Sequence, residues 1–425
     1  MRTDADADSD RWPMYHLIGA VVHQPRLLRM VASLIRRLPM IEDNLSVAAR
    51  FSSASQVFRR QTSYSNTSLA PNLVAGEFVI GMESGSRHDD EREFVARKLP
   101  SPQACGDDAL RESMAIATRI GKGSPVAFDL IEDYMVWVVW AGMRGIFGPA
   151  AKAIEDTPPT SGSQCGQPVH MAEFFREMRY PGAHLIVGQK APSQIQERAE
   201  ASAGALNARV SVNLAAIRAA WGAEGSDAKL HRNAVGLMWV GHPATTQAGA
   251  LVMQELLGRP KAYGDLLREA QALGERAQVD TRFRDVVRSH VIESLRFRPP
   301  FPILHREVLR DTEYELPDGR RRTTRAGCPM TLLGVGAMFD HDAISRAEVY
   351  DPSRPLDQRG DAEGHYFIFG HGARACPAQD HVVEILTSAL MGLLMLPRLT
   401  WADRWFGRIR YDGPIITRLR LKSAG

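Results

Sequence analysis

Apolar residues recur at helical spacing through most of the chain. Asp108–Phe147 is spaced mostly as helix, and Arg198–Trp221 reads as helix before a break at Gly222–Gly225. Asp227–Leu257 is a long helical stretch, apolar nearly all round in its middle, which predicts burial. Asp280–Phe297 predicts another helix, stopped by Pro299-Pro300, and Val382–Leu396 a strongly apolar one. Strand patterning is confined to short pieces between Glu307 and Thr331, around Asp318-Gly319, and to the C-terminus. There Arg408-Ile409-Arg410-Tyr411 and Arg418-Leu419-Arg420-Leu421-Lys422 flank an Asp412-Gly413-Pro414 turn, with the basic side chains expected to face water. Pro158–Gln167 reads as a loop. The first 75 residues mix short helical patterns with Ser- and Asn-rich loops at Ser52–Ser55 and Ser63–Ser68. Residues 1–15, acidic and polar up to Trp12, are expected to form a loose arm. No repeat or linker divides the chain. The pattern predicts one domain over residues 1–425, mainly α with small β sheets.

Composition narrows the class. The 425 residues carry 52 Lys+Arg against 49 Asp+Glu, and 44% are hydrophobic, so wholesale disorder is excluded. The net charge of +3 comes without a dense basic block, which argues against a nucleic-acid partner. Four Cys cannot build a disulfide framework, so a reducing compartment is expected. The apolar run Leu17–Val22 is far shorter than the ~20 residues that span a bilayer. It also lacks the flanks of a signal peptide, and a soluble cytoplasmic protein is expected.

The most informative stretch is Phe369-Gly370-His371-Gly372-Ala373-Arg374-Ala375-Cys376-Pro377-Ala378. A glycine-rich loop delivers one Cys to the start of an apolar helix. Glycine permits tight turns and close approach of a flat ligand. Pro377 suits the first helical position, and the helix's positive end would favour Cys376 as thiolate. Arg374 can pair with an anionic group alongside. A thiolate, a flat seat and an arginine for carboxylates together describe haem ligation by sulfur. His365, His371, Cys376 and His381 lack the paired spacings of a structural zinc site. Cys105, Cys165 and Cys328 sit outside any motif and read as inert.

The loop resembles the haem-binding signature of the cytochrome P450 superfamily, Phe-Gly-x-Gly-x-Arg-x-Cys-x-Gly, with Ala378 replacing the last glycine. The resemblance implies a single-domain, triangular, mainly α fold. It implies haem b ligated by Cys376, with Phe369 shielding the sulfur and Gly370 and Gly372 permitting the turn. Glu293-Ser294-Leu295-Arg296 resembles the family's Glu-x-x-Arg beneath the haem, and Tyr350–Pro355 its meander, whose Arg354 would complete that network. Arg306, Arg374, and His88 with Arg92 on an early helix are the implied propionate partners.

The central helix departs from the family pattern. Members read Ala-Gly-x-(Asp/Glu)-Thr-Thr, where acid and alcohol relay protons to dioxygen. This chain reads Val240-Gly241-His242-Pro243-Ala244-Thr245-Thr246. Aligned on Gly241, Pro243 stands at the acid and Ala244 at the alcohol. Shifted by one residue, Thr245 supplies the alcohol and Ala244 takes the place of the acid. Neither alignment supplies a carboxylate. Pro243 should bend the helix, because it cannot bond the Trp239 carbonyl. His242, Ala244, Thr245 and Thr246 are the candidate distal residues. His242 reads either as a distal acid/base, or holder of an acidic substrate, or as a residue bonded to a backbone carbonyl on the kinked helix. His242-Pro243 is similar to the Arg-Pro of the fatty-acid peroxygenase branch, and Pro-Ala to the branch that rearranges endoperoxides.

Three functions follow. The first is a haem-thiolate enzyme of secondary metabolism whose oxidant or substrate already carries an O–O or N–O bond. The second is a conventional monooxygenase fed by ferredoxin and an NAD(P)H-dependent reductase. The third is a non-catalytic haem sensor. The resemblance implies a small-molecule substrate, set by loops around Ser63–Ser84, Arg176–Lys190 and Ile303.

Overall fold

The computed structural model describes residues 13, 15–17, 19–37, 46–65, 78–122, 127–157, 171–182, 192–222, 224–315, 319–355, 358, 365–403 and 409–423. The loop expected at Pro158–Gln167, Cys165, Asp318, Arg408 and the acidic N-terminus up to Trp12 lie outside them.

The helices that position the site are α1 (Phe51–Arg59), α2 (Ser86–Lys98), α3 (Pro102–Gly121), α4 (Val136–Phe147), α5 (Met171–Glu177), α6 (Ser193–Val212) and α7 (Leu214–Trp221). They continue with α8 (Asp227–Gly236), α9 (His242–Leu257), α10 (Thr281–Phe297) and α11 (Gln379–Leu394). Their ends follow local chemistry. Ser101 caps α3, its side chain accepting from the Ala104 N–H at 3.2 Å. Ser226 caps α8 through the Lys229 N–H, and Asp280 caps α10 through the Phe283 N–H at 2.8 Å.

Two helices contain π-helical turns: Leu130–Met135 runs into α4, and Leu237–Gly241 joins α8 to α9. The second falls just before Pro243, whose missing N–H disturbs the helical ladder as the sequence predicts. The expected helix over Asp227–Leu257 is therefore one continuous central helix with a π-helical turn within it.

Helices α3, α4, α9 and α11 form the core. Close approach needs small residues at the contacts. A Cβ at Gly392 would lie 1.8 Å from Ser113 Oγ, and one at Gly142 would lie 2.6 Å from Ile385. Ser113 Oγ bonds the Tyr134 hydroxyl at 2.6 Å, and both are fully buried.

The strands are β1 (Val47–Ala48), β2 (Tyr64–Ser65), β3 (Ala127–Asp129), β4 (Leu304–Val308), β5 (Thr312–Glu315), β6 (Arg321–Thr324), β7 (Pro329–Leu332), β8 (Leu399–Trp401), β9 (Ile409–Asp412) and β10 (Ile415–Ser423). One sheet has the order β1-β7-β4-β2, a second β3-β10-β8 with β9 on β10, and β5 pairs β6. Register places Arg306 opposite Met330 and Arg420 opposite Asp129.

Several expectations are corrected. Asp108–Phe147 is interrupted by β3, which forms because β10 offers a distant partner. Arg198–Trp221 breaks at Asn213, whose amide caps the Arg209 carbonyl at 2.8 Å. Of the C-terminal basic side chains, Arg410 and Lys422 face water as expected, but Arg418 and Arg420 are half-buried: Arg420 bonds Asp403 at 3.2 Å, and Arg418 lies 3.9 Å from Asp129. Tyr15 does not belong to a loose arm. It is fully buried, and its hydroxyl donates to the Asp412 carbonyl at 3.1 Å.

Among the described residues, no helix is long and apolar enough to cross a membrane, and no His/Cys/Asp/Glu cluster could hold a metal ion.

Candidate active site

The loop 369–376 folds back on itself before α11. The Cys376 N–H donates to the Phe369 carbonyl at 2.8 Å, and the Gly370 N–H to the Phe367 carbonyl at 3.2 Å. Gly370 and Gly372 have φ of 76° and 67°, the left-handed region that glycine enters without strain. Pro377 lies before the helix rather than at its first position, because α11 starts at Gln379 with Ala378 as its N-cap.

Burial pushes the pKa of the Cys376 thiol up, opposed by a bond from the Ala378 backbone and by the charge of Arg92. A bound metal would favour the thiolate, since metal binding and ligand ionisation are coupled.

Beside the sulfur the structure gathers cations from three elements. Arg92 of α2 donates to the Ala375 carbonyl at 2.5 Å. Arg374 donates from Nη2 to Ser84 Oγ at 2.8 Å, while its Nε and Nη1 are buried without a partner. Arg306 of β4 is half-buried, bonds the His305 carbonyl at 2.7 Å, and is pushed down to about 10 by burial and by Arg374. His88 of α2 is 1% exposed, with Nδ1 3.0 Å from Asp89. Burial first, and then Arg374 and Arg92 against the pull of Asp89, lower its pKa.

Glu83 and Asp89 offset Arg374 only in part, since its pKa is still lowered, chiefly by burial. The cluster thus carries buried, unpaired donors and mutually repelling cations, a costly arrangement without further anions. Two carboxylates would relieve it. A soft sulfur beside a receptor for two carboxylates fits haem b and its propionates.

Beneath the loop lies a buried ion pair. Arg296 gives Nε to Glu293 Oε2 at 2.9 Å and Nη2 to Oε1 at 2.7 Å. Glu293 also accepts from the Asp351 N–H at 2.8 Å and the Tyr366 hydroxyl at 3.2 Å. Arg354 is buried and bonds the carbonyls of Ser345, Arg346 and Val349, joining the network through backbone rather than through Glu293.

On the central helix, Val240, Gly241, Pro243, Ala244 and Gln247 are half-buried, whereas Thr245 and Thr246 are each 3% exposed. Thr246 Oγ1 is buried with no partner. His242 is 1% exposed; its Nε2 bonds the Val136 carbonyl at 2.9 Å, and its ring stacks on Phe175 at 4.1 Å. His242 therefore bonds a backbone carbonyl, but one of α4 rather than one of the kinked helix itself. Sequence reasoning missed Ser84, Phe175 and Val136. None carries a local signal, since their partners are distant in the chain.

The cytochrome P450 family model matches residues 194–379, from α6 through the Cys loop. No curated protein sequence matches the chain. Among solved structures it is similar to P450BioI in complex with an acyl carrier protein ligated to hexadec-9Z-enoic acid. The identity is 14%, covering 93% of this chain and 99% of that one, with a TM-score of 0.68. It is also similar to a mutant of P450 EryK in complex with erythromycin B, at 19% identity over 94% and 96% of the two chains, TM-score 0.67. The versatile cytochrome P450 CYP109B1 from Bacillus subtilis shares 16% identity over 93% and 98%, TM-score 0.64. Fold, family match and the cysteine loop agree: residues 194–379 match the cytochrome P450 family, whose members are oxidoreductases that hold haem b through a cysteine thiolate, and the chain takes the fold of solved cytochromes P450.

Proposed function

We propose that this enzyme acts on a small molecule of secondary metabolism, using peroxide or a substrate that already carries an O–O or N–O bond. Cys376 would ligate the haem iron, with Phe369 over the sulfur side and Gly370 and Gly372 shaping the loop. Arg374, Arg306, Arg92 and His88 would take the two propionates. Haem so bound would supply an electron-rich, thiolate-ligated iron able to cleave such a bond.

The observation that carries the oxidant is the half-open face of the central helix. Pro243 and Ala244 lie on it, and neither can hold or pass a proton at the acid and alcohol positions. Thr245 and Thr246 are turned into the protein, and the His242 Nε2 is committed to a carbonyl. Residues of this face would shape the space around the substrate and leave proton delivery to the oxidant itself.

Turnover with hydrogen peroxide alone, against turnover with ferredoxin, reductase and NADPH, tests the reading. Product from peroxide at a rate at least equal to the electron-fed rate is expected. Coupled turnover only with ferredoxin and dioxygen would instead make this a conventional monooxygenase using Thr245 or Thr246. A spectral response to ligands without turnover under either regime would make it a sensor.

A further inference from the structure

His242 joins three elements. Its ring sits at the end of the π-helical turn Leu237–Gly241, and the carbonyl it bonds, that of Val136, sits at the end of the other π-helical turn, Leu130–Met135. A carbonyl only accepts, so Nε2 carries the hydrogen and Nδ1 carries a lone pair. Nδ1 is buried without a partner among the described residues.

The third element is α5. Phe175 lies on the imidazole with ring planes 17° apart, and it also meets Trp140 at 5.5 Å and Trp137 at 6.0 Å. The same stretch reaches the first π-helical turn by charge: Arg176 bonds Glu132 at 3.2 Å, and Arg179 pairs with the same carboxylate. One segment thus holds the first π-helical turn through Glu132 and the central helix through His242.

The position of His242 gives this joint a consequence. Residue 244 lies two positions on, roughly 200° round the helix at 3.6 residues per turn. His242 is anchored on the buried side, while Pro243 and Ala244 lie on the half-open one. Pro243 removes the backbone bond that would otherwise brace this turn. The side chain of His242 supplies a brace from outside the helix.

We propose that His242 is a positioning residue: its bond to Val136 and its stack on Phe175 set the tilt and depth of the central helix at Pro243 and Ala244, and so the clearance above the haem seat. The role is independent of which oxidant the enzyme uses. It also makes α5, at the edge of the expected substrate loop Arg176–Lys190, mechanically continuous with the distal helix.

The test uses haem-loaded protein and optical titration with two probes, imidazole and a phenyl-substituted imidazole. With His242→Leu the helix relaxes toward the open side. The bulky probe then binds about tenfold more weakly while imidazole stays within about twofold, since a shift of the order of 1 Å is enough to penalise a large ligand selectively. His242→Gln keeps a donor near the Val136 carbonyl and restores the bulky probe to within about threefold. Phe175→Leu, which removes the stack and keeps the bond to Val136, produces the same split to a lesser degree and carries the test if His242→Leu does not fold.

Equal affinity changes for both probes, or lowered melting temperatures with unchanged affinities, would reduce His242 to a structural residue and overturn the proposal. Loss of turnover in His242→Gln together with one limb of the pH–rate profile, at unchanged probe binding, would make His242 a proton donor or acceptor and overturn it equally. A wild-type protein with no azole spectrum would instead count against haem ligation itself, a failure separate from this one.

Discussion

Arg296 and Arg354 share one acceptor. The Val349 carbonyl takes an Nη2 donor from each, at 3.1 Å and 3.2 Å, although the two residues come from α10 and from the meander beyond it. The pair therefore clamps two distant segments through one backbone group beneath the cysteine loop.

The clamp predicts a graded loss of stability. Glu293→Gln and Arg296→Leu each leave a buried charge unpaired and should cost about 3–5 kcal/mol. Arg354→Leu strips donors from the buried carbonyls of Ser345, Arg346 and Val349 and should cost about 1–3 kcal/mol. Urea unfolding midpoints measure the order, and an Arg354 variant less stable than the Glu293 one would contradict it.

The cation cluster predicts opposite signs for the haem-free and haem-loaded protein. Arg374→Met removes a buried guanidinium with unpaired Nε and Nη1, so the haem-free chain should lose little stability. Haem affinity should fall by about ten- to hundredfold with the loss of a charge-assisted bond to a propionate. Thermal unfolding without haem, paired with haem transfer to a competing apoprotein, separates the two effects.

Thr246→Val is expected to be neutral or stabilising by up to about 1 kcal/mol, because the hydroxyl it removes is buried and unpartnered. Turnover with peroxide should survive it. Loss of coupling in electron-fed turnover would show instead that the hydroxyl serves the chemistry.

Burial holds His23, His242 and His290 each down at about 4, below the ordinary 6.5. Below about 6.5 the folded chain binds fewer protons than the unfolded one. The contribution of these residues is therefore complete above that pH and is lost as pH falls toward about 4. Around His242 the facing charges are Arg179, which opposes its proton, and Glu132, which is engaged by Arg176 and Arg179. Denaturant unfolding across this range should show a shallower acid limb in His242→Gln than in wild type. An unchanged limb would place the acid sensitivity elsewhere.

The turn of the cysteine loop and the ion pair beneath it were legible in the sequence because their chemistry is local. Phe369 to Cys376 turn on two glycines, and Glu293 and Arg296 meet one helical turn apart. The mainly α architecture was legible for the same reason, since long apolar periods decide helices by themselves. Other features were set by distant partners. Nothing near Ala127 announces β3, which exists because Arg420–Lys422 lies alongside. Tyr15 reads as part of a polar arm, yet it is buried against the Asp412-Gly413 turn. The direction of His242 depends on where Val136 and Phe175 lie in space. The desolvation that pushes the Cys376 thiol up is likewise invisible in the sequence, where only the helix end can be read.

The central claim is that the Cys376 sulfur, deprotonated, bonds the haem iron. The reduced carbon-monoxide spectrum of Cys376→Ser, compared with wild type at matched haem content, tests it most directly. The thiolate-type Soret band should be present in wild type and lost in the variant. The same band in both proteins would contradict the account.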